Sequence, residues 1–121
     1  ILIDSDSITS AEFMSNTRPI PRDKSAIAVA HALAAEYLGM HMVYLDAGSG
    51  ARPSVPETMV ASVAANVSIP VIVGGGIRTP KMAGEKVQAG ANFVVTGTVL
   101  EEEASPSLIQ EFADAIHGSS S

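Results

Sequence analysis

The stretch from Ile69 to Thr98 limits the fold more than any other part of the chain. An apolar run, Val71 to Val73, empties into Gly74-Gly75-Gly76-Ile77-Arg78. Thr79-Pro80 then opens a helical pattern, and a second apolar run, Phe93 to Val95, empties into Thr96-Gly97-Thr98. Short strands without polar alternation are buried on both faces, and their alternation with helices predicts a parallel sheet. Glycines where such strands end let backbone N–H groups approach a phosphate closely.

Two consecutive units of this kind resemble the phosphate-binding end of a (β/α)₈ barrel, formed by the loops after its last two strands. The rest of the chain repeats the pattern. Ile1 to Ile3 reads as a strand, followed by a long polar loop from Asp4 to Asp23. A loop of that length in a compact domain is usually functional or mobile. Within it Arg18 and Arg22 stand beside prolines, as solubilising charges or facing an anion. A helix is expected from Asp23 to Leu38, with Ile27, Ala30, His31, Ala34 and Leu38 as its buried stripe and Gly39 as its stop. His31 has no carboxylate or second histidine one turn away and reads as a packing or interface residue.

His41 to Asp46 forms the next strand, and Ala47-Gly48-Ser49-Gly50-Ala51 is its exit. Tyr44 and Asp46 are two apart and therefore share a face. A tyrosine and a carboxylate there are costly to bury without partners. Two readings stand: a reactive pair, or a carboxylate that fixes the loop through backbone N–H groups. The following helix starts near Pro56 and Glu57, with Met59, Val60, Val63 and Val67 as its stripe and Met59 as core filler. Thr79 and Pro80 cap the next helix, which runs to about Ala89 before Gly90. The last starts at Ser105-Pro106, presents Leu108, Ile109, Phe112 and Ile116, and stops at Gly118. Glu101 to Glu103 reads as a solvated loop and Ser119 to Ser121 as a disordered tail.

The whole is a single α/β domain over residues 1–121, four βα units in a row. That is half of an eight-stranded barrel, strands 5–8, with the N-terminal half absent from this chain. Three of the four strand exits carry glycine, and all exits of a parallel barrel share one rim. The net charge of −6 and the lack of a basic stripe argue against nucleic acid as a partner. The absence of cysteine excludes a disulfide framework and thiolate chemistry. No apolar run approaches a membrane span and no signal peptide is visible, so a cytoplasmic setting is expected. The open edges and the alanine-rich helix predict a homo-oligomer or pairing with the missing half-barrel.

Tyr44-Leu45-Asp46-Ala47-Gly48-Ser49-Gly50-Ala51, Val73 to Arg78 and Val95 to Thr98 closely resemble geranylgeranylglyceryl phosphate synthase and its bacterial heptaprenylglyceryl relatives. The stretch from Ser15 to Lys24 resembles a segment in one branch of that family. The resemblance implies a Mg²⁺-dependent prenyltransferase: the C3 hydroxyl of sn-glycerol 1-phosphate attacks C1 of a long prenyl diphosphate, diphosphate leaves, and an ether-lipid precursor results. Carried over by position, the glycerol phosphate site comprises Tyr44, Leu45, Asp46, Ala47, Gly48, Ser49, Gly50, Gly75, Gly76, Gly97 and Thr98. Asp46 takes the attacking hydroxyl's proton and Tyr44 hydrogen-bonds or shields it. Asp46 stands where the family usually has the longer Glu. The Mg²⁺ ligands are expected in the missing N-terminal half, so Asp4 and Asp6 are assigned no metal, and this half alone is expected to be inactive. Two other readings fit the glycines: another phosphate-binding barrel, an isomerase or FMN enzyme, and a half-barrel that binds phosphate without turnover.

Overall fold

A computed structural model describes residues 1–103 and 105–118. The expected tail, Ser119 to Ser121, lies outside the described residues. Three parallel strands, β1 (Val43–Asp46), β2 (Val71–Gly74) and β3 (Phe93–Val95), lie in the order β1-β2-β3. The register pairs Leu45 with Val73 and Asp46 with Gly74, then Val73 with Val94 and Gly74 with Val95. Strand ends, and therefore loops, are level at one rim. The expected first strand is shorter than predicted. Leu2 makes a single parallel bridge to Asp46, and Ile3 one to Ile20. The chain then turns away through Asp6, whose φ is +60°.

The helices are α1 (Ser10–Ser15), α2 (Ser25–Tyr37), α3 (Glu57–Asn66), α4 (Pro80–Ala89), α5 (Thr98–Glu102) and α6 (Pro106–Gly118). Helices α2, α3, α4 and α6 pack in that order, each against the next. Their inner surfaces meet Val43, Leu45, Val71 and Val73 of the sheet in one core with Ala28, Ala32, Met59, Val60, Val63, Ala83 and Phe112. Met59 is fully enclosed, as expected of core filler. Burying side chains of this size at about 25 cal/mol per Å² of apolar surface is the main term holding helices to sheet.

The caps follow the sequence closely. Thr79 Oγ1 accepts the Met82 N–H at 3.2 Å with Pro80 at the first helical position. Gly39 follows α2 at φ +84°, and Gly90 ends α4 at φ +123°. A Cβ at Gly90 would also come 2.6 Å from the Ala64 side chain.

Two stripes differ from expectation. On α2 the residues assigned inward, Ile27, Ala30, His31, Ala34 and Leu38, all face out, and Ala28 and Ala32 are buried instead. Apolar residues occupy nearly every position of this helix and alanines stand on both faces, so periodicity selects no face; packing against α3 decides it. On α6, Phe112 is buried with Leu108 and Ile116 partly covered, whereas Ile109 is 53% exposed. Helices α1 and α5 were not anticipated. The glutamates 101–103 are exposed as expected, although the first two belong to α5. Among the described residues, no helix is long and apolar enough to cross a membrane.

Candidate functional site

The three strand exits converge. The loop after β1 turns through Gly48 and Gly50, at φ +95° and +71°, and the loop after β2 through Gly75 and Gly76, at +85° and +72°. At Gly75 a side chain has no room: a Cβ would lie 2.7 Å from Gly48 N and 2.9 Å from Ala47 N. At Gly76 it would lie 2.9 Å from Ala51 O. Left-handed φ and backbone against backbone together require glycine. Between these loops and the exit of β3 opens a cleft of about 460 Å³.

Tyr44 and Asp46 point into this cleft from β1, as alternation predicts. Ser49 and Gly50 line it from the first loop, Gly75 and Gly76 from the second, and Thr98 from the third. Four predicted residues, Leu45, Ala47, Gly48 and Gly97, do not line it. Leu45 is fully buried on the helix side of the sheet, Ala47 is buried beside it in sequence, and Gly48 stands just behind Gly75. Gly97 precedes Thr98 as the N-terminal flank of α5, and its neighbours Thr96 and Thr98 both reach the cleft.

The floor is polar. Asp46 Oδ1 accepts the Gly48 N–H at 2.7 Å, the loop-fixing reading of this carboxylate. The bond to Gly48 holds the carboxylate in place at the cleft. Burial first, and the nearby Asp46 charge second, push the Tyr44 hydroxyl above its ordinary pKa, so it stays a neutral donor at physiological pH. Gly74 makes room for it, since a Cβ there would overlap the Tyr44 hydroxyl. None of the loop and turn hydrogen bonds among the described residues uses the amide of Gly75, Gly76, Gly97 or Thr98. Gly75, Gly76 and Thr98 line the cleft, and N–H groups without a partner at a cleft can receive an anion.

Sequence reasoning missed Arg78, which lines the cleft with its guanidinium 4.0 Å from Glu102. Both side chains are well exposed, so that pair contributes at most about 1 kcal/mol and leaves Arg78 available to an anion. Its position two residues after a pair of left-handed glycines was the available signal. His31 is remote, with Nδ1 2.9 Å from Ile27 O in its own helix. Asp4 and Asp6 make a local turn, Asp6 N–H to Asp4 Oδ1 at 3.2 Å. No group of three or more His, Asp or Glu able to hold a metal occurs among the described residues.

Residues 1–116 match the PcrB family. The chain belongs to the PcrB family. It is 50% identical over 117 residues to geranylgeranylglyceryl phosphate synthase of Chitinophaga pinensis, covering 97% of this chain and 46% of that protein. With the Pyrococcus furiosus enzyme of the same name it shares 53% over 95 residues, 78% of this chain and 38% of that one. The Thermoplasma acidophilum (S)-3-O-geranylgeranylglyceryl phosphate synthase, crystallised with sn-glycerol-1-phosphate, superposes with a TM-score of 0.89 at 39% identity, over 95% of this chain and 47% of that one. Mandelate oxidase, at 17% identity and a TM-score of 0.60, shares the fold alone. The chain spans about half the length or less of these relatives. Its parallel α/β architecture corresponds to part of their barrel.

Proposed function

We propose that this chain forms the glycerol phosphate half of a prenyltransferase that joins sn-glycerol 1-phosphate to a prenyl diphosphate of the geranylgeranyl type. The observation that carries the reading is the placement of Tyr44 and Asp46 on one strand face, two residues apart, in a cleft also lined by Gly75, Gly76 and Thr98, whose amides are unused. The phosphate sits against those amides, with the Ser49 hydroxyl and Arg78 nearby. This grip fixes the glycerol end and presents its C3 hydroxyl to the reacting carbon. The oxygen forms a bond to C1 of the prenyl chain, the bond from C1 to diphosphate breaks, and Asp46 takes the proton. Tyr44, a neutral donor, orients the hydroxyl. Likeness to an enzyme crystallised with sn-glycerol-1-phosphate supports this substrate.

The sheet's open face carries Tyr44, Phe93 and Val95, at 36%, 55% and 45% exposure. In this reading it closes against four further βα units that complete the barrel. Those units hold the diphosphate and its Mg²⁺, so this half alone is inactive. A homo-oligomer and a cytoplasmic setting belong to the same proposal.

The test is to incubate the intact protein with labelled sn-glycerol 1-phosphate, geranylgeranyl diphosphate and Mg²⁺. A labelled ether lipid is expected. Asp46→Asn should cut turnover by roughly 10²–10⁴ while glycerol phosphate still binds. Phosphate binding without product would replace the proposal with a non-catalytic phosphate module, and copurifying flavin would replace it with an oxidoreductase.

A further inference from the structure

Two cations outside the cleft hold adjacent carbonyls of one loop. Lys86, in α4, is 1% exposed. Its Nζ donates to Val55 O at 2.5 Å and to Glu57 Oε1. Arg22, in the segment before α2, donates through Nη1 to Ser54 O at 2.6 Å and reaches Asp4 O at 3.5 Å. A buried ammonium is costly unless fully partnered, so an apolar residue would be the simpler filler at position 86. Glu57 joins the cluster. Burial pulls its carboxyl upward, but the Lys86 hydrogen bond and the charges of Lys86 and Arg22 carry it below the ordinary value.

What the cations hold matters more than their own burial. The loop they grip is the ledge under the second glycine turn. A Cβ at Gly76 would lie 2.9 Å from Ala51 O, 3.1 Å from Pro53 O and 3.1 Å from Ser54 N. Ser54 N thus borders the space beside Gly76 that a side chain would need, while Ser54 O accepts from Arg22. A shift of the ledge would reach Gly76 first and, through the shared peptide, its neighbour Gly75. Neither Arg22 nor Lys86 lines the cleft.

We propose that Arg22 and Lys86 are positioning residues: by clamping the carbonyls of Ser54 and Val55 they keep the Gly75-Gly76 amides aimed at the phosphate. The proposal rests on the phosphate reading of the cleft. It also corrects the sequence expectation for Arg22, which does not line the cleft and is not a free surface charge; its Nη1 is spent on backbone carbonyls.

The experiment compares Arg22→Ala, Arg22→Lys and Lys86→Met with wild type in the intact protein. Inorganic phosphate is titrated against the Gly75 and Gly76 amide NMR signals, KM is measured for both substrates, and Tm is recorded. Displacing amides by a fraction of an ångström should weaken phosphate and raise the glycerol phosphate KM about tenfold. The KM for prenyl diphosphate should hold within about twofold, and Arg22→Lys, which retains a donor, should recover most of the phosphate affinity. A purely structural role would lower Tm and leave phosphate affinity at the wild-type value, which overturns the proposal, as does an equal change for both substrates. If Lys86→Met does not fold, Arg22→Ala decides. A wild-type protein that binds phosphate but yields no ether lipid would sink the prenyltransferase reading, and loss of phosphate binding in the variants would still uphold the clamp.

Discussion

The two faces of the sheet use the same short strands for opposite ends. Toward the helices, Val43, Leu45, Val71 and Val73 are each at most 4% exposed. Toward the other side, Tyr44, Asp46, Phe93 and Val95 remain open or half-open. Because side chains alternate along a strand, neighbours one position apart are assigned to stability or to chemistry. Leu45 and Asp46 are adjacent in sequence, yet one is sealed in the core and the other caps a loop at the cleft. The lesson is that a core position and a site position can share a peptide bond without sharing a cost.

The sharpest way to break that comparison is Leu45→Ala. It should destabilise the protein by about 2–5 kcal/mol in denaturant titrations, since it leaves a cavity in a close-packed layer. A loss comparable to that of an exposed residue would mean the helix side is not the stabilising face. Gly76→Ala comes next, because its φ of +72° and the adjacent Ala51 carbonyl both oppose a side chain. The strain should cost about 1–3 kcal/mol, and phosphate binding should fall with it. Tyr44→Phe should change stability by no more than about 0.5 kcal/mol while lowering turnover, since it removes only a hydroxyl that the cleft uses. A large stability loss there would place Tyr44 with the core.

The smallest expected effect is a pH dependence. Glu57 has a folded pKa below its ordinary value of 4.5. The native state therefore releases this proton more readily than the unfolded chain does. Its contribution is full above about pH 4.5 and is lost as pH falls through the lower, folded value. With half of its side chain exposed, solvent screens the pair. Glu57→Gln should flatten that acid limb in a series of Tm measurements against pH, and an unchanged limb would remove Glu57 from the account.

Local chemistry decided more of this structure than its length would suggest. Caps were legible because one or two residues suffice for them: Thr79 with Pro80, Gly39 and Gly90. Strands β2 and β3 were legible because short apolar runs rich in valine that empty into glycine have few other folds. The shared face of Tyr44 and Asp46 followed from a spacing of two. Tertiary structure decided what depends on partners far away in sequence. Which side of α2 turned inward depended on its packing against α3, since alanines stand on both of its faces. Asp46 met the Gly48 amide only once the loop had closed. Arg22 and Lys86 stand 32 and 31 residues from the carbonyls they bind. Spacing along a chain states which side chains share a face; it carries no information about which backbone will pass in front of them.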